Sequence, residues 1–251
     1  MQVKKILKRI GLDSSKKYMP TLETLQLLQK QYMLTVPYEN LDFHLHKEFS
    51  TDLLKVFEKI VLNNRGGICY ESHTLFLYLL QHIGYDAHWI FAKVDDLTYI
   101  GKDYPHLVIL VHIDGIDYLV DVANGQNVRE PMNMDDPNII SSAEDNQYKI
   151  EPIENTYTLL VHNKQQDWFP RYSFTKEQKH QSDFKDTFKN DYKNKEATNI
   201  PLLITLAKEN GRVTMHNDIM IQKENNTRHS WHISDQNRAE VLKEYFNITL
   251  S

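Results

Sequence analysis

The chain has 251 residues, 41% hydrophobic and 25% charged, enough for an ordinary globular core and too apolar for a disordered segment. A net charge of −5, from 29 basic and 34 acidic side chains, speaks against a dedicated nucleic-acid or acidic-membrane surface. One cysteine excludes an internal disulfide and every two-cysteine zinc or iron–sulfur motif.

The start, MQVKKILKRIGL, lacks the continuous apolar run of a signal peptide, and no apolar span of about 18 residues occurs. The expectation is a soluble cytoplasmic protein. In that opening, Val3, Ile6, Leu7 and Ile10 recur at helix spacing, with Gly11 as a stop. A second helix follows Pro20, capped by Thr21, with Leu22, Leu25, Leu28 and Tyr32 on one face, and ends before Pro37. A third spans about 51–63, with Leu53, Phe57, Ile60 and Val61 inward. A fourth follows Cys69, carries Leu75, Phe76, Leu79, Leu80 and Ile83, and stops at Gly84.

The pattern then shortens to strand period. AHWIFAKV (87–94), HLVILVHI (106–113), IDYLVDV (116–122), NTYTLLVHN (155–163) and RYSFT (171–175) read as strands. The polar stretch 133–147 reads as a long surface loop. Phe184, Phe188 and Tyr192, four apart, read as one packed helix face. PLLITLAKE, Asn210-Gly211 and RVTMHNDIMIQK form a hairpin signal. A turn at Asn225-Asn226 leads to TRHSWHI, and Ser234 can cap a last helix bearing Val241, Leu242, Tyr245 and Phe246. Helices first, then strands, then strands with a closing helix is an α+β order.

Chemistry concentrates around the cysteine. Cys69 lies in RGGICYE, at a helix start, where the partial positive charge of the helix end suits a nucleophilic sulfur. The paired glycines would let the backbone turn sharply and leave room for a substrate. The bland alternative is a small buried hydrophobe.

A base and an orienting acid follow from hairpin geometry. Asp114-Gly115 reads as a two-residue turn, so Ile113 faces Ile116 and Val108 faces Asp121. His106 and Asp121 then project from one face as diagonal neighbours, with Cβ atoms roughly 7–8 Å apart. The other face, Leu107 to Val122, is apolar and belongs to a core. An acid and a histidine on a mostly apolar strand face are either a buried pair fixing the hairpin or two members of a catalytic set. With Cys69 they supply nucleophile, base and orienter. His112 and Asp117, also facing, read as an exposed pair. His44-x-His46 and His229-x-x-His232 are chance spacings in a chain with twelve histidines, and no metal is expected.

RGGICYE resembles the active-site motif of the arylamine N-acetyltransferases, in which Arg-Gly-Gly precedes the catalytic cysteine. VPYENLDF (36–43) resembles that family's Val-Pro-Phe-Glu-Asn-Leu segment, and PHLVILVHIDGIDYLVDV its histidine strand, turn and aspartate strand. Looser likeness continues through DWFPRYSFT, SDFKDTF, NGRVT and FNITL.

The resemblance implies an N-terminal helical bundle (1–85), a central antiparallel β-barrel (86–195) and a C-terminal α/β lid (196–251), with a papain-like catalytic core. It implies Cys69 as nucleophile, His106 as base, Asp121 as orienting acid, a buried Arg65–Glu39 ion pair beside the site, and Tyr38 lining the substrate pocket. The implied reaction moves acetyl from acetyl-CoA, the donor cosubstrate, to an arylamine or arylhydrazine. An amide synthase of the same fold, a cysteine hydrolase and a non-catalytic scaffold are the other readings. Two departures stand out. Ala123-Asn124 replaces the family's Gly-Phe, placing Asn124 where an aromatic lines the acceptor pocket. Ser72-His73 replaces the amide residues common after the motif glutamate.

Overall fold

The computed structural model describes residues 2–94, 106–123, 128–184, 200–225 and 227–250. The first part is helical: α1 (Gln2–Arg9), α2 (Leu22–Thr35), the two-residue strand β1 (Tyr38–Glu39), α3 (Leu41–His44), α4 (Leu53–Phe57) and α5 (Cys69–Ile83). Thr21 caps α2 by accepting the Thr24 N–H at 3.3 Å, and Gly11 and Gly84 close α1 and α5 at positive φ. Leu25, Leu28 and Tyr32 of α2 and Leu75, Phe76, Leu79 and Leu80 of α5 meet in one core with Ile6 and Ile10. Where the sequence suggests one helix over 51–63, α4 gives way to a π-helical turn at Glu58–Leu62. Val56, Phe57 and Ile60 are its buried residues, while Leu53 and Val61 are only half-buried.

The second part is antiparallel: β2 (Asp86–Lys93), β3 (His106–Ile113), β4 (Ile116–Val120), β5 (Met132–Asn133), β6 (Ser141–Ala143), β7 (Asn146–Ile153), β8 (Thr156–Asn163) and β9 (Gln166–Phe174), then α6 (Gln181–Phe184). These strands form one sheet in the order β5-β4-β3-β2-β9-β8-β7-β6, curled into a nearly closed barrel around Ile90, Val108, Leu110, Leu119, Tyr148 and Tyr172. The stretch 133–147, expected as a loop, holds β6 and the start of β7. Its alternation is hidden by small and polar residues. Strand β9 starts earlier than the expected 171 because its first half runs through Pro170, where the pairing with β8 shifts register.

The last part contains β10 (Leu203–Lys208), β11 (Gly211–His216), β12 (Ile219–Glu224), β13 (Thr227–His232) and α7 (Arg238–Phe246). RVTMHNDIMIQK is two strands, split by a turn with Asn217 at positive φ. The last helix begins after Asn237, three residues beyond Ser234. Strand β1 pairs with β10, which ties the N-terminal segment to this sheet. No helix among the described residues is long and apolar enough to cross a membrane.

Candidate active site

The loop leading to Cys69 is closely packed at its two glycines. A Cβ on Gly66 would lie 1.9 Å from the Pro37 carbonyl oxygen, and one on Gly67 would lie 2.8 Å from both Cβ and Oε2 of Glu71. Neither glycine has positive φ. Close approach, of Gly66 to the Pro37 backbone and of Gly67 to the Glu71 side chain, rather than a sharp turn, is what small residues serve here. Strand β1 clips to the loop through Glu39 N–H to Gly67 O (3.2 Å) and Gly67 N–H to Pro37 O (3.3 Å). Cys69 is the first residue of α5, and the Ile68 N–H at the cap is accepted by Glu71 Oε2 at 3.1 Å.

Beneath the loop lies a buried ion cluster. Arg65 donates to Glu39 Oε1 from Nε (2.9 Å) and sits 2.8 Å from Asp42 Oδ1. Glu39 Oε2 accepts the Leu41 N–H at 2.8 Å. Lys59 reaches Asp42 Oδ2 at 2.6 Å and Glu71 Oε2 at 2.8 Å. The sequence names Arg65 and Glu39; Lys59, Asp42 and Glu71 are missed, because nothing in local spacing tells that Lys59, six residues before Arg65, turns inward. Burial pushes Glu71 up to about 7, against the pull of Lys59, with Glu39 and Asp42 adding to the rise.

The β3–β4 hairpin has the expected register. Ile113 pairs with Ile116 and Ile109 with Val120, and Asp114 and Gly115 both have positive φ, as a type I′ turn requires. His106 Nε2 and Asp121 Oδ2 are 2.9 Å apart. Asp121 Oδ2 also accepts from the Tyr172 hydroxyl at 3.1 Å, and Oδ1 accepts the Ala123 N–H at 3.0 Å. Cys69, His106 and Asp121 are 5%, 7% and 2% exposed.

Cys69 is near enough to the His106 ring to contribute to its proton affinity. Burial alone would lower His106; the Asp121 charge and hydrogen bond, and then the contact with Cys69, raise it to about 10. Burial likewise opposes charge on Asp121, but His106 and the hydrogen bonds hold it well below the usual carboxylate range.

Cys69 belongs to an apolar cluster that includes several aromatic residues. Ile68, Cys69, Tyr70, Leu107, Ala123 and Phe184 form a buried cluster, against which Tyr38, Trp89 and Phe91 pack half-buried. Burial, then the nearby Cys69 charge, raises the Tyr38 hydroxyl, which stays protonated. Phe184 lies 5.3 Å from the Tyr70 ring and 5.2 Å from the Trp89 ring. Phe188, Tyr192, Asn124 and Asn226 lie outside the described residues. Tyr172 and His73, both beside Asp121, are site residues that the sequence reading gave no role. The strand period places Tyr172 on the inner face of β9 but cannot aim its hydroxyl.

Three comparisons bear on this geometry. A family model described as N-acetyltransferase matches residues 21–251. Proansamycin X synthase of Amycolatopsis mediterranei is 30% identical over 170 residues, 66% of this chain and 65% of that protein. An arylamine N-acetyltransferase of Mycolicibacterium smegmatis is 31% identical over 180 residues, 68% of this chain and 63% of that protein. The chain thus matches less than two thirds of the length of either curated relative. The solved structure of Mycobacterium marinum arylamine N-acetyltransferase in complex with CoA superposes with a TM-score of 0.85 at 20% identity, covering 98% of this chain and 92% of that one, which is a likeness of fold.

Proposed function

This chain belongs to the arylamine N-acetyltransferase family, and from that membership we propose that it moves an acetyl group from acetyl-CoA to the nitrogen of an arylamine or arylhydrazine through acetyl-Cys69. The observation that carries the proposal is the buried His106–Asp121 pair, 2.9 Å apart, with Cys69 beside it at the start of α5 and near enough to contribute to the proton affinity of the ring.

In the first half-reaction the Cys69 sulfur attacks the thioester carbonyl carbon. The new C–S bond forms, the bond to the CoA sulfur breaks, and His106 gives its proton to the departing CoA thiolate. Two of the influences that raise His106 come from Cys69. Acylation removes both influences, so His106 holds its proton less tightly and can lose it to become the base of the second step. In the second half-reaction the amine attacks acetyl-Cys69, neutral His106 takes its proton, and the sulfur leaves with its electron pair, restoring the starting state.

Arylamines and arylhydrazines suit this cycle because their weakly basic nitrogen is unprotonated near neutrality, whereas an alkylamine is mostly ammonium. The half-buried rings of Tyr38 and Phe91, packed on the buried Tyr70 and Phe184, offer surface for a flat aromatic acceptor. It also keeps water from the acyl group, which favours transfer over hydrolysis.

The CoA complex of the Mycobacterium marinum relative supports acetyl-CoA as donor. A second reading, an amide synthase with another donor or acceptor, draws on Asn124 in place of the family aromatic and on the relative named as a synthase.

Intact mass after mixing with acetyl-CoA, beside Cys69→Ala, tests the main reading. One acetyl group should appear only with the cysteine and vanish when an arylamine or hydrazine is added. No added mass from acetyl-CoA, with labelling by another acyl thioester, would move the assignment to the second reading.

A further inference from the structure

His73 stands four residues after the nucleophile on α5 and is fully buried. Its Nε2 lies 3.0 Å from the Val122 backbone nitrogen and its Nδ1 lies 3.0 Å from the Cys69 carbonyl oxygen. These partners fix its protonation. A backbone N–H can only donate, so Nε2 carries a lone pair. A carbonyl can only accept, so Nδ1 carries the proton. The ring is therefore neutral, and burial, the largest influence on it, also lowers its proton affinity.

Nε2 is 3.4 Å from Asp121 Oδ1. With a lone pair on each atom this is proximity without a hydrogen bond, and Oδ1 is instead occupied by the Ala123 N–H. His106 meets the other oxygen, Oδ2, which it shares with the Tyr172 hydroxyl. The groups facing His73 are Asp121, the His106 ring at 5.9 Å, and Trp89, whose Nε1–H donates to the His73 carbonyl at 3.3 Å.

We propose that His73 is a positioning residue for acyl transfer: as a neutral Nδ1–H ring it straps the backbone of the nucleophile to the backbone just past the orienting acid. This rests on the triad reading above. The strap runs across the seam between the helical core and the barrel sheet. Cys69 rides on the helix side, while His106 and Asp121 ride on the sheet side. Nothing covalent sets the distance between those sides, and His73 bonds to both. It also withholds a second N–H from Asp121, which a protonated or Nε2–H ring would present to Oδ1 in competition with the Ala123 N–H.

The test compares wild type with His73→Leu, His73→Gln and His73→Asn, using p-nitrophenyl acetate as an acyl donor and the nitrophenolate burst as the acylation rate. Leucine keeps the volume and loses both bonds. Glutamine can place an oxygen near the Nε2 position and accept from Val122. Asparagine reaches only the Nδ1 position.

Leucine is expected to slow acylation by roughly 10- to 100-fold with little change in KM, since a misplacement of about 1 Å at a reacting group costs rates of that order. Glutamine is expected to recover most of the rate at a thermal midpoint close to that of the leucine variant, and asparagine less. The imidazole 15N spectrum of wild type at pH 7 should show an Nδ1–H neutral ring.

Leucine at wild-type rate, glutamine no faster than leucine, or a wild-type ring protonated on Nε2 would each overturn the proposal. If leucine fails to fold, the glutamine–asparagine difference and the spectrum still decide. A wild-type Cys69 that accepts no acyl group from the ester would instead sink the triad reading itself. Acylation by the ester but not by acetyl-CoA would sink only the donor, leaving the His73 comparison intact.

Discussion

Lys59 Nζ meets both carboxylate oxygens of Glu71, at 2.9 Å and 2.8 Å, yet Glu71 holds a proton up to about pH 7. The cluster explains the contradiction. Lys59 and Arg65 bring two positive charges to three carboxylates, Glu39, Asp42 and Glu71, all of them buried. One negative charge is left over in a medium that penalises it, and a proton on Glu71 removes it. Glu71 is the member whose side chain caps the nucleophile loop at Ile68.

A folded-state value raised from 4.5 to about 7 means that the folded protein holds this proton more tightly than the unfolded chain. Stability from Glu71 is complete below about pH 4.5 and is lost as pH rises through about 7, the reverse of a salt-bridged carboxylate. Urea denaturation at pH 5 and pH 8 checks this. The wild type should lose on the order of 2–3 kcal/mol more than Glu71→Gln over that interval. Equal losses would refute the account.

Replacing Arg65 with Met tests the cluster from its other side. Glu39 is wholly buried and receives Arg65 at 2.8–2.9 Å. Removing the guanidinium leaves carboxylates unpaired, at a cost of about 3–5 kcal/mol. Arg65→Met with Glu39→Gln should recover part of that loss. Unfolding midpoints of the two single variants and the double give the coupling.

The hairpin was the most legible part of the chain because its turn residues dictate register. Asp114-Gly115 requires positive φ at both positions, and that alone puts His106 and Asp121 on one face. The helix cores were legible for the same kind of reason, since period and stop residues are local. Strands β6 and β7 were not, because Pro152 and a run of polar residues hide their alternation. The ion cluster and the His73 strap were not legible either. Each is made by residues far apart in sequence whose side chains meet only after the helices pack on the sheet, and a lysine or histidine on a helix carries no mark of which way it faces.

The charge on His106 has a cause that can be removed. Its rise to about 10 depends on Asp121 first and then on Cys69. In Cys69→Ala the Asp121 contact remains and the sulfur is gone, so the ring should titrate at lower pH than in wild type while staying above the ordinary histidine value of 6.5. Wild-type His106 is raised above its unfolded value, so its stabilising effect is present below about pH 6.5 and is lost as pH rises through about 10. NMR titration of the ring in the two proteins measures the shift. An unchanged midpoint would mean that the sulfur does not sense the ring, and the acylation-dependent switch from acid to base would fall with it.

Gly66→Ala tests whether close approach shapes the nucleophile loop. The added methyl would sit 1.9 Å from the Pro37 oxygen, an atom fixed in backbone, so the loop or β1 must move. Overpacking of this kind costs about 1–3 kcal/mol, and displacement of Cys69 should lower the acylation rate further than the stability loss alone. Gly115→Ala is the matched control. It also carries a positive φ penalty, but its Cβ meets nothing within 4 Å and the turn is remote from the sulfur. Its acylation rate should stay near that of wild type.

Phe184 is the ring best placed to shape acceptor choice. It shares a buried cluster with Cys69 and Ala123 and packs on Tyr70 and Trp89, in a chain that carries Asn124 at the position of the family's pocket aromatic. Truncation to Ala should destabilise by about 3–5 kcal/mol, so Phe184→Leu is the companion variant that keeps most of the volume. If Phe184 walls the acceptor site, removing it opens space beside the sulfur without touching the triad. The kcat/KM ratio for a naphthylamine over aniline should then rise by roughly 10-fold in Phe184→Ala and less in Phe184→Leu, while acylation of Cys69 changes little. A parallel fall for both amines, with slowed acylation, would instead make Phe184 part of the core that supports Cys69.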